Sequence, residues 1–189
     1  SREELLTWLL DQKIKRKVSK VQQHHTYLPN YSHFDEKNHF ERQKAMQYFH
    51  INNQKWNDIA QHFTTFPDGT VLTGRSLEQT PVGIYGQNTG AICIENFGDF
   101  DQDEINEEHQ QTIITLTAAL CIKFNLSPGI KTIIYHSWYD LKTGKYNLKS
   151  KNRKTCPGIN FFGGNKPGAC RSRFIPLLHT EIRNLNNSL

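Results

Sequence analysis

The sequence predicts an α/β fold in which a central mixed, mainly β sheet is flanked by helices. Three observations lead to this prediction. The chain of 189 residues has the length of one domain with a single core. Short apolar runs typical of strands alternate with longer segments of helical periodicity. No internal repeat and no low-complexity tract interrupts this order.

The first half of the chain contains two predicted helices and three predicted strands. Ser1 and Glu4 have the spacing of a capping box at the start of a helix, which we place at about residues 1–13. A strand follows at 18–24, and a helix packed on one face follows at 38–52. The stretches IAQHFTTF and TVLTG predict two strands joined by a turn at PDG.

The second half continues the alternation of strands and helices. A short strand is predicted at 91–95 and another at 132–135, which ends directly before His136. Between them lies a helix at 108–124 whose buried stripe is formed by Ile113, Leu116, Leu120 and Phe124. A last helix at about 171–185 completes one domain over residues 1–189.

Charge and composition restrict the possible partners. The formal net charge of +5 favours anionic partners, such as nucleic acid, acidic membranes or anionic cell-wall polymers. No apolar run approaches the ~20 residues of a membrane span, so we expect no membrane insertion. Basic and aromatic residues do not interleave as they do in binders of single strands, so we expect no nucleic acid.

Two adjacent histidines end the strand-like stretch VSKVQQHHTYLP. His24 and His25 point to opposite faces of a strand, so they cannot have the same role. His136 ends a second strand, and Cys156 lies in KTCPG, where proline and glycine indicate a turn. Two imidazoles and one thiolate would leave the fourth position of a tetrahedral zinc ion open for water. Spacing alone leaves this interpretation open, because the sequence offers six other histidines: His33, His39, His50, His62, His109 and His179.

Five motifs, in order, resemble those of zinc-dependent N-acetylmuramoyl-L-alanine amidases of the type-2 class, which share their fold with the peptidoglycan recognition proteins. The motifs are HHTYLP, MQYFHINNQKWNDIAQHFTTFPDGTVLTGR, QNTGAICIENFGDF, IIYHSWYD and KTCPG. The resemblance covers about residues 18–165. It implies Zn²⁺ held by His24, His136 and Cys156, with His25 turned into packing. It also implies peptidoglycan as the partner, hydrolysis of the bond between N-acetylmuramic acid and L-alanine, and a monomeric enzyme.

The resemblance also exposes a departure at a catalytic position. Many members of the family carry a catalytic tyrosine where this chain has Gln61 in DIAQHF, and an amide side chain cannot act as an acid or a base. A second branch uses a glutamate at the end of a strand, which corresponds to Glu95 in ICIEN. Lys154, two residues before Cys156, matches a family lysine that stabilises charge on the reacting carbonyl. Alternatively, Glu95 is a solvated carboxylate, and Lys154 belongs to a solvated basic segment with its neighbouring lysines.

The remaining candidate residues concern substrate binding. Tyr27, Arg75 and Asn88 are candidates for lining a substrate groove, and Trp56 joins them although KWNDI resembles a packing and loop-fixing segment of the family. The resemblance implies an extracellular or cell-wall location, or the cytoplasm until lysis if the chain is a phage lysin. Two other functions stay open at this point: a non-catalytic peptidoglycan binder of the same fold and a basic nucleic-acid module.

Overall fold

The computed structural model of the chain describes residues 2–188. Ser1, one half of the predicted capping pair, lies outside the described residues. The α-helices are α1 (Arg2–Asp11), α2 (His39–Asn52), α3 (Glu107–Lys123), α4 (Pro167–Ala169) and α5 (Ile175–Asn187). The strands are β1 (Lys20–His25), β2 (Phe63–Thr65), β3 (Val71–Thr73), β4 (Ala91–Asn96) and β5 (Ile133–Tyr135).

The five strands form one sheet in the order β3-β2-β4-β1-β5. Strands β2, β4, β1 and β5 run parallel, while β3 pairs with β2 in the antiparallel direction at one edge. The sheet is therefore mixed and the fold is α/β, as the sequence predicted. A parallel sheet presents the carboxyl ends of its strands along one edge, and ligand sites of open α/β sheets form at that edge.

Helix α3 supplies the core on one face of the sheet. Its first turn is capped by the side chain of Asn106, which accepts a hydrogen bond from the backbone N–H of His109 at 2.8 Å. Ile113, Leu116 and Leu120 are buried as predicted, whereas Phe124, the fourth residue of the predicted stripe, is the C-cap and only partly buried. Helix α3 packs against α1 and α5. Burial of these apolar side chains, rather than helix propensity, holds the layer in place.

Helix α2 lies on the opposite face and differs from the sequence prediction. We expected it to pack one face into the core, yet none of its residues is fully buried. Phe40 and Phe49 are 68% and 49% exposed. The helix is joined to the sheet by Gln43, which accepts a hydrogen bond from Thr64 Oγ1 at 2.6 Å. The physical reason is that the inner side of α2 borders an open cavity, so its apolar residues form a wall of that cavity and not a dry core.

Several predicted boundaries also differ from the observed ones. The strand predicted from IAQHFTTF shortens to Phe63–Thr65, and the strand predicted at 132–135 begins one residue later, at Ile133, with a 3-10 turn opening at His136 directly after it. The C-terminal helix begins only at Ile175, because α4 and a π-helical turn at Cys170–Phe174 precede it. No helix among residues 2–188 is both long and apolar enough to cross a membrane.

Candidate active site

The sheet register brings three predicted site residues to the carboxyl edge. His24 of β1 pairs with Glu95 of β4. Gln23 pairs with Tyr135, the last residue of β5, so His136 follows on the other side of His24. Three residues that are far apart in the sequence thus lie side by side because their strands are neighbours.

Cys156 completes a group of possible metal ligands with the two histidines. One ligand atom from each of His24, His136 and Cys156 lies within 4.8 Å of the other two. The imidazole rings of the two histidines are 4.9 Å apart between centroids, and Cys156 Sγ lies 3.6 Å from His24 Nδ1. The backbone N–H of His25 points at the same sulfur, at 3.4 Å.

The loop that carries Cys156 is fixed by contacts with two neighbouring segments. The carbonyl of Cys156 accepts a hydrogen bond from the backbone N–H of Ser137 at 2.7 Å, which links the loop to the turn of His136. Asp101 accepts hydrogen bonds from the Thr155 hydroxyl and from the backbone N–H of Ile159. Gly158 has a φ of +108°, and a Cβ there would lie 2.4 Å from the carbonyl carbon of Phe100. Only glycine therefore allows this close approach.

The protonation states of the two histidines suit a divalent metal ion. Burial lowers the pKa of His24 well below its ordinary value and lowers the pKa of His136 to about 3, so both rings are neutral and able to donate a lone pair. Burial raises the pKa of the Cys156 thiol, so its thiolate form needs a positive charge beside it. Two neutral imidazoles and a thiol that faces a cavity fit Zn²⁺ with one open position.

Glu95 and Lys154 flank the candidate ligands. Burial raises the pKa of Glu95 to about 8, and the nearby charge of Lys154 acts in the opposite direction. The same lysine charge also lowers the pKa of His24, His136 and Cys156. Both residues line the same cavity as the candidate ligands.

His25 occupies the opposite side of β1 from His24. Its Nδ1 accepts a hydrogen bond from the backbone N–H of Phe100 at 3.1 Å, and its ring packs on the Phe100 side chain. One of its ring nitrogens also lies within 4.8 Å of carboxylate oxygens of Asp99 and Asp101. Because Nδ1 already has a hydrogen-bond donor, His25 serves to hold the loop after β4.

The candidate ligands open into a cavity of about 1070 Å³. Tyr27, which is 62% exposed, and Trp56, whose ring packs at a tilt against that of His50, both line it. Arg75 and Asn88 do not belong to its lining, which corrects our expectation for these two residues. Arg75 is buried and donates to the backbone carbonyls of Ile59, Asp58 and Thr80.

Gln61 and the neighbouring His62 lie away from the cavity. Gln61, at the position of the family tyrosine, is fully buried and donates to Thr64 Oγ1 at 2.9 Å. His62 accepts a hydrogen bond from the backbone N–H of Cys93 at its Nδ1, and its Nε2 faces the carbonyl of Gln79 at 3.0 Å. Burial lowers the pKa of His62 to about 4. Neither side chain is among the residues that line the cavity.

Sequence reasoning missed one wall of the cavity. This wall comes from α2 and from the residue before Lys154, and its members are Arg42, Ala45, Met46, Phe49, His50 and Arg153. Local spacing gives no signal for this wall, because the apolar residues of α2 follow the spacing of a helix packed on one face.

The class of protein is defined by two features together. The sheet is largely parallel, and its carboxyl edge carries two imidazoles, a thiol and a carboxyl group under an open cavity. The model of the N-acetylmuramoyl-L-alanine amidase family matches residues 14–159. The chain therefore belongs to this family, whose members act on or bind peptidoglycan. The comparison with curated proteins found no match.

Solved structures support the same fold. Drosophila PGRP-LB, seen as wild type and as a mutant in complex with tracheal cytotoxin (TCT), has a TM-score of 0.64 at 20% identity, over 85% of this chain and 84% of that chain. Drosophila Peptidoglycan Recognition Protein (PGRP)-SA has a TM-score of 0.62 at 22% identity, over 79% and 78%. N-acetylmuramoyl-L-alanine amidase LysC from Clostridium intestinale URNW has 0.58 at 21% identity, over 79% and 84%.

Proposed function

We propose that the chain is a zinc-dependent N-acetylmuramoyl-L-alanine amidase that hydrolyses the amide bond between the lactyl group of N-acetylmuramic acid and L-alanine. The observation that carries this proposal is the convergence of His24, His136 and Cys156 within 4.8 Å in a cavity that also contains Glu95 and Lys154. A purely binding surface has no need for this donor set.

Each site residue has a defined task in this reaction. His24, His136 and Cys156 would hold the metal ion. A bound Zn²⁺ supplies Lewis acidity, which polarises a carbonyl and lowers the pKa of a water molecule. Glu95 takes the proton of the attacking water and returns it to the nitrogen of the leaving L-alanine. Lys154 stabilises the negative charge that develops on the carbonyl oxygen.

The raised pKa of Glu95 is compatible with this role. A general base works best when its pKa lies near the working pH. In the metal-free chain the carboxyl group has a pKa of about 8, and a cation held by the adjacent ligands would lower that pKa, because it favours the ionised form. The loaded site would therefore contain a carboxylate that accepts a proton near neutral pH.

The cavity suits a peptide attached to a sugar. Its aromatic and apolar residues, such as Tyr27, Trp56 and Met46, offer flat surfaces for sugar and peptide groups. Arg42, Arg153 and Lys154 add positive charge to the lining, which favours the carboxylates of a stem peptide. The proposed activity implies work at the cell wall, reached by export or, for a phage lysin, after lysis.

Digestion of purified peptidoglycan tests the proposal. The expected products are stem peptides with a new free amino group on L-alanine and intact glycan strands, measured by mass spectrometry. Chelation should abolish the release, and added zinc should restore it. New reducing sugar ends would instead indicate a glycosidase. Binding to peptidoglycan without any release, at full zinc occupancy, would support the non-catalytic binder of the same fold.

A further inference from the structure

Gln22 lies on β1 two residues before His24, so both side chains project from the same face of the strand. The Gln22 side chain is 0% exposed. A buried amide must satisfy its hydrogen-bonding groups, and its partners reveal which end is oxygen and which is nitrogen.

The partners of Gln22 define its orientation. Its Nε2 donates to the backbone carbonyl of Gln87 at 3.0 Å, and its Oε1 accepts from the backbone N–H of Ile84 at 3.2 Å. A carbonyl can only accept and a backbone N–H can only donate, so a flipped amide would lose both bonds. Oε1 therefore faces His24, whose Nε2 lies 3.2 Å away.

This orientation determines the tautomer of His24. An amide oxygen can only accept, so the ring nitrogen Nε2 must carry the hydrogen. In a neutral imidazole the lone pair then resides on Nδ1. Nδ1 is the atom that lies 3.6 Å from Cys156 Sγ, on the side of the candidate metal ligands.

The loop at 82–88 holds this arrangement closed. A Cβ at Gly83 would lie 2.1 Å from Gln22 Oε1 and 2.9 Å from His24 Nε2, so only glycine allows the backbone to cover the pair. The backbone N–H of Gly83 donates to Asn88 Oδ1 at 2.9 Å. Asn88, which the sequence suggested as a groove residue, thus supports the loop behind the ligand.

We infer that Gln22 is a positioning residue for the metal ligand His24: it sets the Nε2–H tautomer and the ring orientation, and Gly83 and Asn88 keep it in place. Hydrogen bonds of this kind to the distal nitrogen of a ligating histidine typically change metal affinity by 10-fold to 100-fold. The inference rests on the proposed zinc site, but its first test needs no metal.

The first test is the tautomer of His24 in the metal-free protein. Two-bond ¹H–¹⁵N spectra of ¹⁵N-histidine-labelled chain distinguish the two neutral tautomers, and a His24→Gln chain assigns the signal. The wild type should show the Nε2–H form. An Nδ1–H form in the wild type would overturn the inference, whether or not any variant folds.

Variants then separate positioning from packing. Gln22→Met removes the acceptor and should give mixed tautomers and zinc affinity about 10-fold to 100-fold weaker, measured by competition with a chelator. Gln22→Glu should restore both properties, because a carboxyl oxygen at the same position still accepts the Nε2 hydrogen of His24. Gln23→Met is the matched control: Gln23 is equally buried but bonds to Thr117 on the opposite face.

The outcomes are distinguishable from failure of the proposed function. Equal effects of Gln22→Met and Gln23→Met on tautomer and zinc affinity would show general destabilisation and overturn the inference. A wild type that binds no zinc would contradict the proposed function, while the tautomer of His24 would still decide the role of Gln22.

Discussion

Replacing Glu95 with glutamine should have opposite effects on activity and on the stability of the metal-free protein. Release of stem peptides should fall by a factor of about 100 to 10,000, because an amide cannot take a proton from water and positioned general bases contribute this much. Zinc should remain bound, since Glu95 is not one of the three candidate ligands. The metal-free variant should be more stable than the wild type at neutral pH.

The gain in stability follows from the pKa of the carboxyl group. Burial raises the pKa of Glu95 from 4.5 to about 8. Between these two values the unfolded chain loses the proton while the folded chain keeps it, so the free energy of unfolding falls as pH rises. At pH 7 this loss amounts to about 3 kcal/mol. Glu95→Gln removes it, which corresponds to a rise in Tm of roughly 6 to 12 °C for a chain of this size.

Urea unfolding of the metal-free protein at pH 4.5 and pH 7 measures this effect. The difference in stability between wild type and Glu95→Gln should grow by about 3 kcal/mol from the lower to the higher pH. Glu104→Gln, at an exposed carboxylate, is the matched control and should show no such growth. Equal pH dependence in the wild type and Glu95→Gln would refute the burial argument, and full activity of Glu95→Gln would refute the assignment of the base.

The other predictions concern the ligands, their loop and acid stability. Cys156→Ser should lose most bound zinc and activity with the fold intact, and full zinc occupancy in this variant would contradict its role as a ligand. His25→Gln should keep its zinc; loss of zinc there, with retention in a His24 variant, would exchange the roles of the two histidines. Gly158→Ala should lower the free energy of unfolding by at least about 1 to 3 kcal/mol and weaken zinc binding, because its Cβ meets Phe100. The control Gly168→Ala, with no atom within 4 Å of its Cβ, should do neither. Burial lowers the pKa of His109 to about 3, so its contribution to stability is complete above pH 6.5 and falls by about 2 kcal/mol at pH 5. Urea unfolding of His109→Gln should show a correspondingly smaller fall in the free energy of unfolding between pH 7 and pH 5. A fall as large as that of the wild type would contradict the assignment of this pH dependence to His109.

Much of the fold could be predicted from local patterns. The stripe of Ile113, Leu116 and Leu120 repeats with helical period, and it is buried in α3. The PDG turn joins two antiparallel strands, β2 and β3, as predicted. Such signals are readable because each depends on residues that are close in the sequence. Boundaries were less accurate, since tertiary packing determines where a strand or a helix ends.

Local patterns failed where burial depends on distant parts of the chain. The apolar residues of α2 look like those of a core helix, but the helix borders a cavity, and Phe49 remains half exposed. The sequence suggested Arg75 as a groove residue, but the backbone carbonyls of Asp58, Ile59 and Thr80 bind its guanidinium group. A charged side chain near a groove motif in the sequence can thus be turned inward by contacts that only the folded chain makes.

The sequence by itself determined the α/β class, the order of the strands along the chain and, through its motifs, the candidate residues His24, His136, Cys156, Glu95 and Lys154. The tertiary structure decided how they meet. Strand order β4-β1-β5 sets Glu95, His24 and His136 in one row. The contact of Gln22 with His24 depends on the loop at 82–88, which lies about 60 residues further along the chain. Hydrogen-bond partners at such separations leave no periodic signal in a sequence, because only the folded backbone brings them within 3.2 Å.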